Sequence, residues 1–243
     1  MEKYPGCPVR LRRLLRVVLC ATAVASASPL SATTVDGITF DGAPEVYLPV
    51  NETARRLGWN VARDKKANLS LNGVALTPKT GRRSFYGAEL VSIAKLAEAG
   101  ATLFPGENPG EIEVYSWTRH FTVTVSPKRV EVSLKRQRLR AWQGDRLVLQ
   151  TKISSGRSGR STPAGEFKAG PSKERLHRSR LYNNAPMPWA VQINGHVFIH
   201  GFTSVPDYPA SHGCIRMPLG GKNAARCFYE WVVRGTPVSV ARG

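Results

Sequence analysis

Two short segments near the C-terminal end of the chain contain residues that can do covalent chemistry. The first contains His200, and the second follows after ten intervening residues and contains Ser211, His212, Gly213 and Cys214. A thiol becomes a strong nucleophile when a nearby imidazole takes its proton. A glycine beside such a thiol lets backbone N–H groups approach a reacting carbonyl. The segments therefore predict a cysteine nucleophile served by one of two histidines.

The same residues could instead bind a zinc ion, because imidazole and thiolate are common zinc ligands. A structural zinc site takes four ligands, and no fourth candidate is evident beside His200, His212 and Cys214. The sequence therefore favours nucleophilic chemistry over a metal site. We expect neither a metal nor an organic cofactor.

Residues 1–27 have the pattern of an export signal. Four arginines between positions 10 and 16 precede a mostly apolar run at residues 17–24, and Ala25, Ser26 and Ala27 offer small residues for cleavage. The apolar run is too short to span a bilayer. The alternative is a retained anchor, which would be the only membrane contact. We expect an exported protein of the periplasm or cell envelope.

The cysteine count of the exported chain is small. Cleavage after Ala27 would leave only Cys214 and Cys227. An exported protein meets conditions that permit disulfides, but a bond between these two thiols would block the expected nucleophile. We therefore expect both to be free. Cys227 falls on the apolar face of a predicted helix and is interpreted as a buried structural thiol.

The formal net charge of the 243-residue chain is +18. A strongly positive surface attracts polyanions. Because we expect export, nucleic acid is not an expected partner, and anionic polymers of the cell envelope are. A basic surface without a specific partner is the equally weighted alternative.

Residues 34–115 predict a small α+β module. A strand pattern at residues 46–50 is followed by a short helix, with Asn51 as its expected N-cap and Gly58 as its end. A similar unit recurs around residues 90–103. A turn-rich break at residues 105–110 closes the module.

From residue 121 to residue 243 the pattern is mainly β. Alternating apolar residues at 130–134, 139–141 and 147–149, with a turn at Gly144, predict a meander and a β-sandwich or barrel-like body. One helix is predicted around residues 224–232, ending before Gly235, and residues 237–240 predict a last strand.

Residues 211–217 resemble the signature of the L,D-transpeptidase family, which has a YkuD-type catalytic domain. Residues 154–156, 187–189 and 199–201 match that family in order and spacing, and residues 162–167 are similar to its Thr-Pro-x-Gly-x-Phe turn. The resemblance covers about residues 121–240. The interval of ten residues before Ser211 is short for the family and indicates a shortened loop. The N-terminal module more loosely resembles the N-terminal domain type of copper amine oxidases.

The resemblance implies catalytic roles for four residues. Cys214 would be the nucleophile and His200 its proton acceptor and donor. His212 would order the nucleophile loop or contact the substrate, and the N–H groups of Gly213 and Cys214 would be oxyanion donors. A free thiol has a pKa of about 8.5, and a paired histidine can lower it to roughly 3.5–7.5. We therefore expect a lowered pKa at Cys214.

Three further residues are substrate-binding candidates. Arg216 either fixes the nucleophile loop or binds a substrate carboxylate. Ser211 belongs to the same motif, and Tyr182 precedes His200 at a distance that fits a substrate contact. A basic run from Lys173 to Arg180 is a solvated face or the rim of an anionic substrate cleft.

The fold and function implied by the resemblance are those of a cysteine transpeptidase acting on peptidoglycan stem peptides. Cys214 would attack the carbonyl of the third stem residue and release D-alanine, and an acceptor amine would resolve the acyl-enzyme. One alternative is an L,D-carboxypeptidase, in which water replaces the amine. Another is a non-enzymatic wall-binding protein. A cysteine endopeptidase of the NlpC type is disfavoured, because there the cysteine precedes the histidine.

Overall fold

The protein, described here by a computed structural model over residues 33–243, is built mainly of strands. The expected export segment, with Cys7 and Cys20, lies outside the described residues. No helix within residues 33–243 is both long enough and apolar enough to cross a bilayer. The mainly β architecture confirms the predicted fold class. For description, residues 33–124 are called the N-terminal region and residues 127–243 the C-terminal region.

The N-terminal region contains eleven short strands and two helices in three sheets. Its elements are β1 (Thr34–Asp36), β2 (Ile38–Phe40), β3 (Ala43–Pro49), α1 (Val50–Leu57), β4 (Val61–Arg63), β5 (Leu69–Leu71), β6 (Val74–Leu76), β7 (Arg82–Phe85), β8 (Ala88–Ser92), α2 (Ile93–Glu98), β9 (Thr102–Pro105), β10 (Ile112–Ser116) and β11 (Arg119–Thr124). The strand orders are β1-β11-β10-β9, β2-β3-β8-β7 and β4-β5-β6.

The two helices follow strands β3 and β8, as the repeated sequence unit predicts. Gly58 ends α1 in a left-handed conformation, also as predicted. The expected N-cap was wrong: Pro49 holds that position without a side-chain cap, and Asn51 lies inside the first turn. The helix starts two residues earlier than expected because the buried Val50 continues the apolar face formed with Leu57.

Strand β11 belongs to the N-terminal region. It pairs with β1 and β10, and Phe121 and Val123 pack into the N-terminal core around Leu71 and Val114. The β pattern expected to open the catalytic domain at residue 121 therefore completes the preceding module. The boundary between the regions falls in the short link after Thr124.

The C-terminal region contains nine strands and one helix. These are β12 (Lys128–Ser133), β13 (Arg138–Gln143), β14 (Arg146–Lys152), β15 (Gly165–Lys168), β16 (Lys173–Ser179), β17 (Ala185–Asn194), β18 (Val197–Phe202), β19 (Ile215–Pro218), α3 (Ala224–Trp231) and β20 (Pro237–Ala241). One sheet has the order β14-β13-β12-β20-β15, and the other has the order β16-β17-β18-β19. Apolar side chains of both sheets and of α3 meet in one core.

The predicted meander is correct except at β14. A bulge between Ala141 and Trp142 inserts Val148 into the register, so Val148 and Leu149 are both buried while Leu147 is exposed. A β-bulge of this kind changes which residues face the core. The alternating pattern predicted that Leu147 faces the core, and this prediction was wrong.

The two regions share a hydrophobic core. Ile38, Phe40, Tyr47, Phe85 and Leu90 of the N-terminal region lie in the same buried cluster as α3 and both C-terminal sheets. Ion pairs surround this contact. They join Arg146 to Glu52 at 2.7 Å, Arg83 to Glu230 at 2.9 Å, and Lys173 to Asp41.

Candidate active site

Two parallel strands bring the predicted catalytic residues together. Strand β18 carries His200, and β19 begins immediately after Cys214. The pairing register sets His200 opposite Arg216. The next residue, Gly201, is closely packed, and a Cβ atom there would lie 2.3 Å from a side-chain carbon of Leu219. His200 and Cys214 consequently line the same small cavity, of about 70 Å³.

The nucleophile loop is held by its own hydrogen bonds. The buried Ser211 hydroxyl accepts a bond from the Gly213 N–H at 3.1 Å and donates to the Cys214 carbonyl. The Thr162 hydroxyl donates to the Gly213 carbonyl at 2.8 Å. Gly213 has φ +122°, a conformation that favours glycine. Ser211 was expected to bind substrate; its hydroxyl instead has both its hydrogen bonds inside the loop.

Residues 154–156 frame this loop from the other side. Ser154 forms two backbone hydrogen bonds with Arg216, each of 3.0 Å, and the Ser155 carbonyl accepts the Ser211 N–H at 2.9 Å. The Gly156 N–H donates to the Thr162 hydroxyl at 2.8 Å. The segments that resemble the transpeptidase family at 154–156 and 162–167 therefore contact the nucleophile loop directly.

Cys214 is half-buried against Met187 and Phe198. Its Sγ lies 3.6 Å from the carbonyl oxygen of His196. Burial raises the pKa of the thiol, and the Arg216 charge only partly offsets this effect. The lowered pKa expected for Cys214 was therefore wrong: in the resting protein the group is a neutral thiol. His196 contributes only its backbone carbonyl to this contact.

His200 is buried, with 4% of its surface exposed. Its pKa is lowered to about 4, mainly by burial; the hydrogen bond to the Gly201 carbonyl opposes this shift, and the nearby charges of Arg216 and His177 contribute to it. Its Nδ1 lies 2.9 Å from the Gly201 carbonyl oxygen. Since a carbonyl only accepts, Nδ1 carries the proton and Nε2 is left with a free lone pair. His200 is thus a neutral base at physiological pH.

A neutral thiol beside a neutral imidazole favours proton transfer during attack over a preformed ion pair. Within residues 33–243 the Cys214 N–H donates to no acceptor, whereas the Gly213 N–H is bonded to Ser211. Of the two expected oxyanion donors, the structure leaves the Cys214 N–H available for a developing oxyanion.

Tyr182 and His212 form one side of the cavity mouth. Their rings lie 4.9 Å apart, and the Tyr182 hydroxyl donates to the His212 carbonyl at 3.1 Å. Both residues line the cavity with Cys214. Burial first, and then three neighbouring arginines, lower the pKa of His212. The His212 side chain is therefore placed to contact a ligand in the cavity, while its backbone carbonyl holds the loop to Tyr182.

Arg216 also lines the cavity, and its guanidinium lies 4.0 Å from the centre of the Phe202 ring. Its backbone fixes β19 to Ser154, while its side chain has no carboxylate partner within residues 33–243. The two interpretations drawn from the sequence therefore apply to different parts of this residue. The backbone orders the loop, and the guanidinium is free to bind an anion.

The basic residues between Lys173 and Arg180 do not form one continuous surface. Lys173 is buried in its ion pair with Asp41, and the Arg175 guanidinium lies over the Trp189 ring at 5.3 Å. Arg178 donates to the Asn184 carbonyl. Arg180 lines a neighbouring cavity of about 480 Å³ with His177 and Phe198.

Two residues beside the site were not singled out from the sequence. Arg157 and Arg160 lie on a turn next to the nucleophile loop, and both contribute to the lowered pKa of His212. The sequence feature that could have identified them is their position between residues 154–156 and residues 162–167, the two segments that resemble the family. Single basic residues in a turn are common on surfaces, so sequence alone did not distinguish them.

The site lies in a part of the chain that matches a known protein family. Residues 127–240 match the family model described as the YkuD, L,D-transpeptidase catalytic domain. No curated protein sequence matches the chain. Within residues 33–243, no group of three or more His, Cys, Asp and Glu side chains is arranged so that it could hold a metal ion.

Several solved structures are similar to parts of the chain. An L,D-transpeptidase from Stackebrandtia nassauensis is 25% identical over 48% of this chain and 56% of its own, with a TM-score of 0.43. An L,D-transpeptidase from Xylanimonas cellulosilytica is 30% identical over 49% and 62%, with a TM-score of 0.41. One from Mycobacterium smegmatis is 16% identical over 88% and 95%, with a TM-score of 0.43. The family match covers residues 127–240, somewhat less than half of the chain, and this part of the chain matches the YkuD, L,D-transpeptidase catalytic domain.

Proposed function

We propose that the protein is an exported transpeptidase that acts on peptidoglycan stem peptides through a thioester on Cys214. The observation that carries this proposal is the shared cavity of Cys214 and the neutral base His200, inside the part of the chain that matches the family. Export is supported by the pattern of residues 1–27. Anionic envelope polymers remain proposed partners because the net charge is +18.

The first half-reaction forms the acyl-enzyme. The Cys214 Sγ attacks the carbonyl of the third stem residue while its proton passes to Nε2 of His200. The developing oxyanion would accept from the Cys214 N–H. Collapse of this intermediate breaks the peptide C–N bond, and His200 returns the proton to the leaving amine of D-alanine.

The second half-reaction releases the product. An acceptor amine attacks the thioester carbonyl and gives its proton to His200. The C–S bond breaks, and the sulfur is reprotonated to the thiol. An amine from a second stem gives a cross-link, an amine on another molecule gives wall attachment, and water gives the carboxypeptidase outcome.

The test uses the mature chain, residues 28–243, with a tetrapeptide stem in the presence and absence of an acceptor amine. Mass spectrometry should show D-alanine release and a joined product that needs the acceptor. The Cys214→Ala variant is the control. Tripeptide as the sole product in both mixtures would identify a carboxypeptidase. Wall binding without any Cys214-dependent product would instead support the non-enzymatic alternative.

A further inference from the structure

An open groove of about 330 Å³ lies where the N-terminal and C-terminal regions meet. Tyr86, in the turn between β7 and β8, forms one wall, and its hydroxyl donates to the Gln150 carbonyl on β14 at 2.8 Å. Lys222, in the loop before α3, also lines the groove, and its Nζ lies 5.6 Å from the centre of the Tyr86 ring. Contacts between the two regions therefore fix the shape of the groove.

Three cations that line this groove lack an anionic partner. Arg138 on β13 lies directly opposite Lys152 on β14 in the pairing register, and like charges in that arrangement destabilise a sheet. Within residues 33–243, neither of them nor Lys222 forms an ion pair, whereas Arg129 of the same sheet lies 3.4 Å from Glu131. Among the described residues, none that lines the groove is an aspartate or a glutamate. The groove therefore has three positive charges and no negative charge of its own.

The positive charge continues along the hairpin of β12 and β13. Residues 135–140 contain three cations besides Arg138, namely Lys135, Arg136 and Arg140, and all are exposed. None of these forms an ion pair with another part of the described chain. The Arg140 guanidinium donates to the Gln150 side chain at 3.0 Å, beside the groove. A ligand longer than the groove would therefore meet further cations on the outer face of the sheet.

The arrangement fits repeated phosphate groups. Cations from β13, from β14 and from the loop before α3 face one space from three different elements. A phosphate presents oxygens in several directions and can contact all three, whereas a carboxylate presents two oxygens in one plane. Lysine binds phosphate as a point charge, and arginine binds it through its planar fork. Because the groove is concave, a single polymer chain can enter it, whereas the flat surface of a bilayer cannot.

We propose that this groove binds a polymer with phosphates repeating along its backbone. The groove is separate from the cavity of Cys214, because β19 begins immediately after Cys214 and ends at Pro218, which lines the groove. A strand of that length spans about 13 Å. The protein would thereby hold an anionic polymer of the cell envelope at a short, fixed distance from its nucleophile. This inference goes beyond the proposed function and does not depend on it, since binding requires no reaction at Cys214.

The test measures the binding of linear inorganic polyphosphate to the purified protein by isothermal titration calorimetry. The parent should bind saturably, with an affinity that falls as the salt concentration rises. Lys152→Gln/Lys222→Gln should raise Kd by at least ~10-fold, the size expected for lost hydrogen bonds to charged groups. Arg138→Gln should also raise Kd and serves if the double variant does not fold. The turnover of a short stem peptide should be the same in these variants as in the parent.

The matched control is Lys65→Gln/Lys66→Gln, which removes two exposed lysines from the turn between β4 and β5 and changes the net charge equally. It should keep the Kd of the parent. An equal loss of affinity in this control would show attraction by net charge alone and would overturn the inference. An unchanged Kd in Lys152→Gln/Lys222→Gln and in Arg138→Gln would overturn it as well.

Two further ligands test the chemical class. Polyglutamate should bind more weakly than polyphosphate of similar charge, and equal or tighter binding would contradict a phosphate site. Vesicles containing phosphatidylglycerol test the membrane as the source of phosphate. Binding to these vesicles that requires Lys152 and Lys222, without binding to polyphosphate, would replace the polymer with a lipid surface. Loss of Cys214-dependent turnover would refute the proposed function alone, because polyphosphate binding is measured separately.

Discussion

The two thiols of the described chain, Cys214 and Cys227, have similar local properties and different surroundings. Both are half-buried and free, and burial raises the pKa of each. The Cys227 Sγ lies 3.5 Å from the Lys222 carbonyl oxygen, much as Cys214 lies near that of His196. Both also reach a cavity. Neither thiol pKa nor open space therefore distinguishes the nucleophile.

The residues that surround each thiol distinguish Cys214 from Cys227. Cys214 follows a left-handed glycine and shares its cavity with the neutral base His200. Cys227 lies on α3, and its cavity of about 380 Å³ contains no histidine. A thiol reacts quickly when a base can take its proton and donors can stabilise the product charge. The comparison predicts distinct outcomes for changes at the two positions.

The largest expected effect is loss of turnover in Cys214→Ala, because the sulfur forms the covalent intermediate. The fold should persist, since the residue lies on a loop held by Ser211 and Thr162. Stem-peptide turnover and the melting temperature measure the two properties. Turnover in this variant above that of buffer would remove Cys214 from the mechanism.

Covalent labelling should separate the two thiols almost completely. The family resemblance implies that a carbapenem acylates the nucleophile, because its strained lactam mimics an acyl donor. Intact-protein mass spectrometry should show one adduct, located by digestion at Cys214 and lost in Cys214→Ala. A chelator should have no effect. Adduct formation at Cys227, or sensitivity to the chelator, would contradict the comparison.

Replacing the base should be nearly as damaging. His200→Ala should lower kcat by at least ~10²-fold, the range expected for a lost general base. His212→Ala is the matched control, because it removes the other imidazole of the cavity and should cost less. The opposite order of effects would reverse the roles of the two histidines.

The acid limit of activity should report on His200. Its pKa is about 4, so kcat/KM should stay level through neutral pH and fall as pH drops through about 4, when Nε2 becomes protonated. Arg216 lowers this pKa by charge. Arg216→Gln should therefore move the limit to higher pH. A limit near 6.5, the ordinary pKa of a histidine side chain, would show that His200 is solvated in the working enzyme.

The smallest effect is expected at Cys227→Ser. Replacing a half-buried thiol with a hydroxyl places a polar group against the core of α3 and should cost about 1 kcal/mol of unfolding free energy. Turnover should be unchanged. Lost activity with an unaltered denaturation curve would show that Cys227 contributes to chemistry after all.

The signals on which the sequence analysis relied are local. The motif at residues 211–217, the strand patterns and the left-handed end of α1 at Gly58 each depend on a few adjacent residues. The residues of the cavity that lie far apart in the chain, such as Tyr182 and Cys214, were joined only through the family resemblance.

Long-range packing explains most of what the sequence did not predict. The assignment of β11 depends on its pairing with β1, and the exposure of Leu147 depends on a bulge against β13. The raised pKa of Cys214 depends on burial by Phe198 and Met187, which lie on other strands. None of these contacts has a signature in neighbouring residues.

The hydrophobic core shared by the two regions limits how the chain can be truncated or recombined. The family match begins at residue 127, yet Phe40 and Phe85 from the preceding region are part of the core that surrounds α3. A chain cut at that boundary would leave an uncovered apolar surface, a common cause of aggregation. The N-terminal region therefore cannot be exchanged independently of the C-terminal region. Recombination that preserves the enzyme must transfer both regions together or redesign the surface where they meet.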